Sequence, residues 1–190
     1  MRKDFLDIYN YIAQKGLFID IYTNGTLLKR QALRQIRKYP FHKLRISLYG
    51  ASSDTYRLLS GNASAFNQVM NGIRLAKKEG INFRIRSVLN KINQRDSRRM
   101  EEITSRFKVR YLSQKHLHRK ADGDTEHFRL NVSKGGRKRT CEGCIYVDNL
   151  GRLNPCPAIR TPSYDLGCVS FKSAWQDRLR RKFKVKCPAT

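Results

Sequence analysis

Thiolate chemistry is the sharpest signal in the chain. Cys141-Glu142-Gly143-Cys144 opens a run in which nine residues separate Cys141 from Gly151 and four separate Gly151 from Cys156. Thiolates are soft ligands that select zinc or iron–sulfur clusters over hard cations. Ile145-Tyr146-Val147-Asp148 reads as a short strand and Asn149-Leu150-Gly151 as a turn, so a hairpin returns one cysteine toward another. Five cysteines in total, an odd number, with four inside Cys141–Cys168, point to ligands rather than to a disulfide framework. Cys187 lies further on, and Cys168 reads as a small buried residue. His116 and His118 could pair on a metal, but on an irregular basic stretch they read as surface histidines.

A second constellation comes from alternation along three strands. Leu44, Ile46 and Leu48 point one way, and Arg45, Ser47 and Tyr49 the other. Phe83 and Ile85 oppose Arg84 and Arg86, while Ile19 and Ile21 oppose Asp20, Tyr22 and Asn24. A parallel strand covered on both faces should be apolar on both. Here one face packs on helices and the other gathers polar groups. The polar face either meets solvent or lines a barrel, and the barrel interior is the favoured reading. Asn24, Ser47 and Tyr49 then sit at the C-terminal mouth, where such sheets bind ligands.

The elements that must position these groups alternate. Helical periodicity covers residues 4–15 and Gly16 ends it. Leu17–Tyr22 reads as a strand stopped by Thr23-Asn24-Gly25, then a helix spans Leu27–Lys38. Strands at Lys43–Tyr49 and Ile81–Leu89 flank a helix at Ala65–Lys78. Asp96 caps a helix through Phe107, and Val109–Leu112 is a last strand. The alternation predicts an α/β domain over residues 1–112, a basic linker over 113–140 and a cysteine-rich domain over 141–190.

Composition bounds the rest. No apolar run in the 190 residues approaches membrane-spanning length, and the amino end lacks a signal-peptide core, so a cytoplasmic location is expected. Forty Lys and Arg against fifteen Asp and Glu give +25. These cations are scattered along the sequence without an aromatic stacking platform, which argues against dedicated nucleic-acid binding. The alternative to an enzyme is a basic module in which four thiolates form a zinc ribbon for nucleic-acid or protein binding.

Several segments, in this order, resemble radical S-adenosylmethionine (SAM) enzymes with a SPASM- or twitch-type C-terminal domain. They are Arg2-Lys3-Asp4-Phe5, Thr23-Asn24-Gly25-Thr26, Ile46-Ser47-Leu48-Tyr49-Gly50, and Tyr56 to Gly61 followed by Phe66 and Lys78-Glu79-Gly80. Asp122-Gly123-Asp124 with Arg129 belongs to the same similarity. Cys156-Pro157, Pro162 to Leu166, Ser170-Phe171 and Trp175 resemble the tail of peptide-modifying members.

The resemblance implies a partial (β/α)6 barrel plus a small cysteine-rich domain. It implies that SAM is cleaved reductively at an iron–sulfur cluster to a 5′-deoxyadenosyl radical, which takes hydrogen from a peptide or protein substrate. By position, Ser47 is similar to a strand-end serine near the SAM ribose, and Thr23 and Asn24 to a loop bordering the adenosyl group. Arg84 or Arg86 would meet the carboxylate or the ribose of SAM, and Tyr49 stands where many relatives carry Asp. Cys141, Cys144, Cys156 and Cys187 are the candidate ligands of an auxiliary 4Fe–4S cluster, with Cys168 in reserve. Catalytic residues are not assigned. The family's C-x3-C-x2-C loop does not occur in the sequence. The chain is therefore expected to lack the first βα units and to be inactive alone, unless another chain supplies that portion.

Overall fold

A computed structural model of the chain describes residues 4–39, 43–115, 130, 146–147, 150–154 and 163–180. Two compact units divide it, residues 1–115 and 116–190.

The first unit alternates helix and strand. Its elements are α1 (Phe5–Gln14), β1 (Asp20–Thr23), α2 (Arg30–Lys38), β2 (Lys43–Ser47), α3 (Ser53–Ser60), α4 (Ala65–Lys78), β3 (Phe83–Val88), α5 (Ser97–Arg106) and β4 (Tyr111–Gln114). The four strands are parallel in the order β1-β2-β3-β4. Parallel pairing needs a crossover on each strand, and the helices supply it.

The predicted strand faces hold. Leu44, Ile46, Leu48, Phe83 and Ile85 are buried with Leu33 and Ile36 of α2 and Val69, Ile73 and Ala76 of α4. The α4 residues recur at helical spacing, so one stripe of the helix meets the sheet. Each fully buried Leu or Ile stabilises the fold by about 2 kcal/mol. Arg45, Ser47, Arg84 and Arg86 are half-buried on the opposite face.

Several elements differ from the sequence reading: α2 starts at Arg30 rather than Leu27, β2 ends at Ser47 rather than Tyr49, and β3 spans Phe83–Val88 rather than Ile81–Leu89. β1 starts at Asp20 rather than Leu17, because its register pairs Asp20 with Lys43, where β2 begins. β4 is shifted to Tyr111–Gln114, where Tyr111 pairs with Ile85. α3 was not foreseen as a helix: Ser52 caps it by accepting from the Thr55 N–H at 3.2 Å, and Gly61 closes it with φ +71°. Asp96 precedes α5 but makes no side-chain cap there. Its Oδ2 instead accepts from the Ala51 N–H at 2.9 Å and the Thr55 hydroxyl at 2.6 Å, tying α5 to the start of α3.

Tyr56 of α3 is 1% exposed, packed between Tyr49 and Phe66, and its hydroxyl oxygen accepts from the Tyr49 N–H at 3.1 Å. Burial pushes its pKa from 10.0 up to about 12, against the pull of the Tyr49 N–H. An acid whose folded pKa is raised stabilises the fold fully below its unfolded pKa and loses that contribution as pH rises through the folded value. Urea midpoints are therefore expected to fall between about pH 10 and 12. Tyr56→Phe should make that slope shallower, leaving the part due to Tyr9 and Tyr111, whose pKa values burial also raises. An unchanged slope would remove Tyr56 as the cause.

In the second unit, β5 (Tyr146–Val147), β6 (Arg152–Asn154) and β7 (Tyr164–Asp165) form an antiparallel sheet, followed by α6 (Phe171–Arg180). The hairpin foreseen around Gly151 is present, with Gly151 at φ +76°. Leu153 and Ala174 are buried, and the Tyr164 hydroxyl donates to Asp177.

Candidate functional site

The C-terminal ends of β1, β2 and β3 converge because all strands run the same way, and the chain fixes each exit with its own hydrogen bonds. After β1, Thr23 Oγ1 accepts from the Gly25 N–H at 3.1 Å. Asn24 Oδ1 accepts from the N–H of Thr26 at 3.2 Å and from its hydroxyl at 3.0 Å. These are Asx- and hydroxyl-stabilised turns. Gly25 is buried with φ +79°, and a Cβ there would lie 2.8 Å from Ile46 Cγ2. A Cβ on Gly72 of α4 would lie 2.4 Å from the Gly25 carbonyl oxygen. Two glycines thus let the helix backbone touch the turn that presents Asn24.

The β2 exit is held from two sides. Asn93 Nδ2 donates to the Tyr49 carbonyl at 2.8 Å and to the Val88 carbonyl at 3.1 Å. Asn93 Oδ1 accepts from the Asn90 N–H at 2.7 Å, and Asn90 Oδ1 accepts from the Asn93 N–H at 3.2 Å. Ser87 donates to the Leu48 carbonyl at 2.6 Å. A Cβ on Gly50 would strike Thr55 at 2.4 Å, so this turn also has no room for a side chain.

The inner sheet face carries the charge. Arg45 donates twice to one oxygen of Asp20, Oδ2, from Nη2 at 2.6 Å and from Nε at 3.1 Å. Its guanidinium lies 5.2 Å from the Tyr22 ring centre, and that of Arg86 lies 5.8 Å from the same ring. Arg86 Nη2 donates to Gln114 Oε1 at 3.1 Å. Asp20 holds the Arg45 pKa above its usual value, mainly through the hydrogen bond. Register sets Ser47 beside Arg86 and Arg45 beside Arg84.

Ser47 and Arg86 therefore share the inner face near the mouth, and Tyr22, Arg45 and Arg84 form the row one step lower. Thr23 pairs with Ile46 and so lies on the helix-facing side. Tyr49 is exposed at the mouth while its backbone is fixed on both sides. Sequence reasoning missed Asn93 and Gln114 in this region and gave Asp96 a helix-capping role in place of its bonds to Ala51 and Thr55. Asn90 and Asn93, three apart just after a strand, were the available signal, since paired Asx residues stabilise such turns.

Cys141, Cys144, Cys156 and Cys187 lie outside the described residues. Among the described residues no three His, Cys, Asp or Glu side chains gather as a metal site, and Cys168 is free and exposed rather than buried. Also among the described residues, no helix is long and apolar enough to cross a membrane.

Residues 1–102 match the family model of the radical SAM superfamily. The chain belongs to that superfamily. An AdoMet-dependent heme synthase of Methanosarcina barkeri is 31% identical over 108 residues, covering 57% of this chain and 29% of that protein. An Fe-coproporphyrin III synthase of the same organism is 33% identical over 98 residues, covering 50% and 24%. The matched stretch thus spans less than a third of these curated relatives. Streptococcus suis SuiB bound to S-adenosylmethionine superposes with a TM-score of 0.68 at 12% identity, covering 98% of this chain and 57% of that one. The enzyme anSMEcpe with bound AdoMet gives 0.62 at 15% identity, covering 95% and 64%. These two likenesses speak to fold, and the parallel sheet matches the barrels of both.

Membership in this superfamily implies SAM and an iron–sulfur cluster as its cofactors. The described mouth fits SAM's polar groups. The Asn24 amide N–H2 and the Ser47 hydroxyl have no hydrogen-bond partner among the described residues, and the Arg86 guanidinium faces no carboxylate there.

Proposed function

We propose that this chain forms the SAM-facing and substrate-facing part of a radical SAM enzyme that acts on a carboxylate-bearing substrate. Ser47 and Asn24 would hold SAM at the strand ends, and Arg86 would receive a substrate carboxylate. When bound, SAM would supply the radical chemistry of the superfamily, with Ser47 and Asn24 orienting it and Arg86 orienting the substrate. Cys141, Cys144, Cys156 and Cys187 are proposed to hold an auxiliary cluster. A further barrel segment would pack along β1, where Tyr22 is exposed beside a cleft of about 260 Å³ lined by Phe5, Asn24 and Leu27.

The observation that carries the substrate class is the charge state of the inner face. Arg45 is neutralised by Asp20, whereas among the described residues Arg86 is held by the neutral Gln114 and the Tyr22 ring, with no carboxylate beside it. A guanidinium so placed is ready for a planar carboxylate. The relatives named for heme and Fe-coproporphyrin III synthesis favour a porphyrin carboxylate. The second reading is an acidic peptide, favoured by the similarity of the tail segments to peptide-modifying enzymes.

Coproporphyrin, a tetracarboxylate, is expected to bind the chain, followed by its fluorescence, and its tetramethyl ester is not. Arg86→Gln should weaken the acid roughly tenfold or more, the loss of one charge-assisted contact. Equal binding of acid and ester, or no effect of Arg86→Gln, overturns the carboxylate reading. Arg86-dependent binding of a glutamate-rich peptide alone would select the peptide over the porphyrin.

A further inference from the structure

At the opposite end of the sheet the fold assembles cations that are far apart in sequence. A cleft of about 340 Å³ is lined by Lys77, Arg84, Lys108 and Arg110, together with Ile81, Asn82, Phe83 and Val109. No acid lines it. The parallel topology explains the gathering. Helix C-termini and strand N-termini meet at this end, so the last turn of α4, the turn after α5 and the first residues of β3 and β4 become neighbours. The macrodipole accounts for a lysine in the last turn of α4. It does not account for Arg84, whose position faces the barrel interior beside Arg45. Lys43, at the start of β2, responds to the same field: its pKa is lowered by burial first, then by Arg84, Arg45 and Arg110, with Asp20 opposing. Asp20 is engaged by Arg45.

Lys108 is the telling residue. It follows α5 with φ +52°, the one left-handed non-glycine among the described residues. After α1, α3 and α4 the corresponding positions are Gly16, Gly61 and Gly80, with φ +71°, +71° and +67°. Glycine takes this conformation without strain and other residues do not. The chain therefore follows its own rule three times and breaks it where the side chain lines a cationic cleft. Strained positions of this kind accompany binding sites.

We infer that this cleft binds the phosphates of an oligophosphate chain. Four cations in so small a volume exceed what one carboxylate could match. Consecutive phosphates supply several charges in a compact chain, with oxygens suited both to guanidinium forks and to lysine ammonium groups. The site lies at the other end of the strands from the mouth and does not depend on the substrate assigned there.

The test uses the whole chain with inorganic tripolyphosphate, measured by calorimetry at several salt concentrations, with a short single-stranded RNA as a second probe. Lys108→Gly removes both the charge and the strained backbone, so it should melt at or above the wild-type temperature while binding tripolyphosphate roughly five- to tenfold more weakly, with a shallower salt slope. Lys91→Gln, at the mouth end of β3, should bind as wild type does. RNA that competes with tripolyphosphate and loses affinity in Lys108→Gly would identify a nucleic-acid backbone as the phosphate source, whereas failure to compete would indicate a free oligophosphate. The inference is overturned if tripolyphosphate does not bind, if Lys91→Gln weakens it as much as Lys108→Gly does, or if the Lys108→Gly affinity is unchanged.

Discussion

Gly72→Ala is expected to destabilise the first unit by about 2 kcal/mol net, and to lower affinity at the mouth although residue 72 lies on the helix behind it. The added Cβ would stand 2.4 Å from the Gly25 carbonyl oxygen, a backbone atom that no rotamer change can move. Nor can Gly25 retreat: it holds φ +79°, with Ile46 2.8 Å and Val69 3.6 Å from its own Cβ position. Either α4 lifts from the sheet, loosening Val69, Ile73 and Ala76, or the Thr23-Asn24-Gly25 turn shifts. Alanine favours the helix over glycine by about 1 kcal/mol, so the steric loss must exceed that to appear. Asn67→Ala on an exposed position of the same helix supplies the comparison, since it should be neutral or slightly stabilising. Urea melts of the two variants decide the matter. If Gly72→Ala were as stable as Asn67→Ala, the contact between helix and turn would not constrain the fold.

That contact was not legible in the sequence, whereas the sheet faces were. Alternation of Leu44, Ile46 and Leu48 with Arg45, Ser47 and Tyr49 is a local signal, because a strand shows its two faces every second residue. Burial follows it residue by residue. The mouth depends instead on pairings over tens of residues: Asp96 with Ala51, Asn93 with Tyr49, Gly72 with Gly25. Asp96 shows the difference well. Its place before a helix is a strong local capping signal, yet the carboxylate takes two donors from α3 and the turn before it, because those N–H and O–H groups would otherwise be buried unpaired. The same distance effect governs charge. Lys43, Lys77, Arg84, Lys108 and Arg110 read as dispersed along the chain, and parallel topology draws them to one end. The thiolate spacing rests on sequence alone.

Asn93→Asp is expected to be the more damaging of two substitutions at the residue that closes the mouth, and the reason is the direction of its hydrogen bonds. Asn93 is 1% exposed, donates to the carbonyls of Tyr49 and Val88, and accepts from the Asn90 N–H. Asn93→Ala strands two carbonyls and one N–H in a dry site, at roughly 1 kcal/mol or more for each, so about 3–4 kcal/mol in all. Asn93→Asp keeps the acceptor for Asn90 and matches the original shape. It nevertheless replaces the donating amide with an ionised oxygen facing two carbonyl oxygens. Burial and repulsion must raise the pKa of that introduced carboxyl in the folded state. A raised folded pKa gives the variant relative stability at low pH that disappears as pH rises. Asn93→Asp should therefore approach or surpass Asn93→Ala near pH 4, where a protonated carboxyl can donate to one carbonyl, and fall below it at pH 8. Parallel denaturation curves across this range measure the crossing. Two variants that stay separated by a constant amount would show that the orientation assigned to the amide, and with it the clamp on Tyr49 and Val88, is wrong.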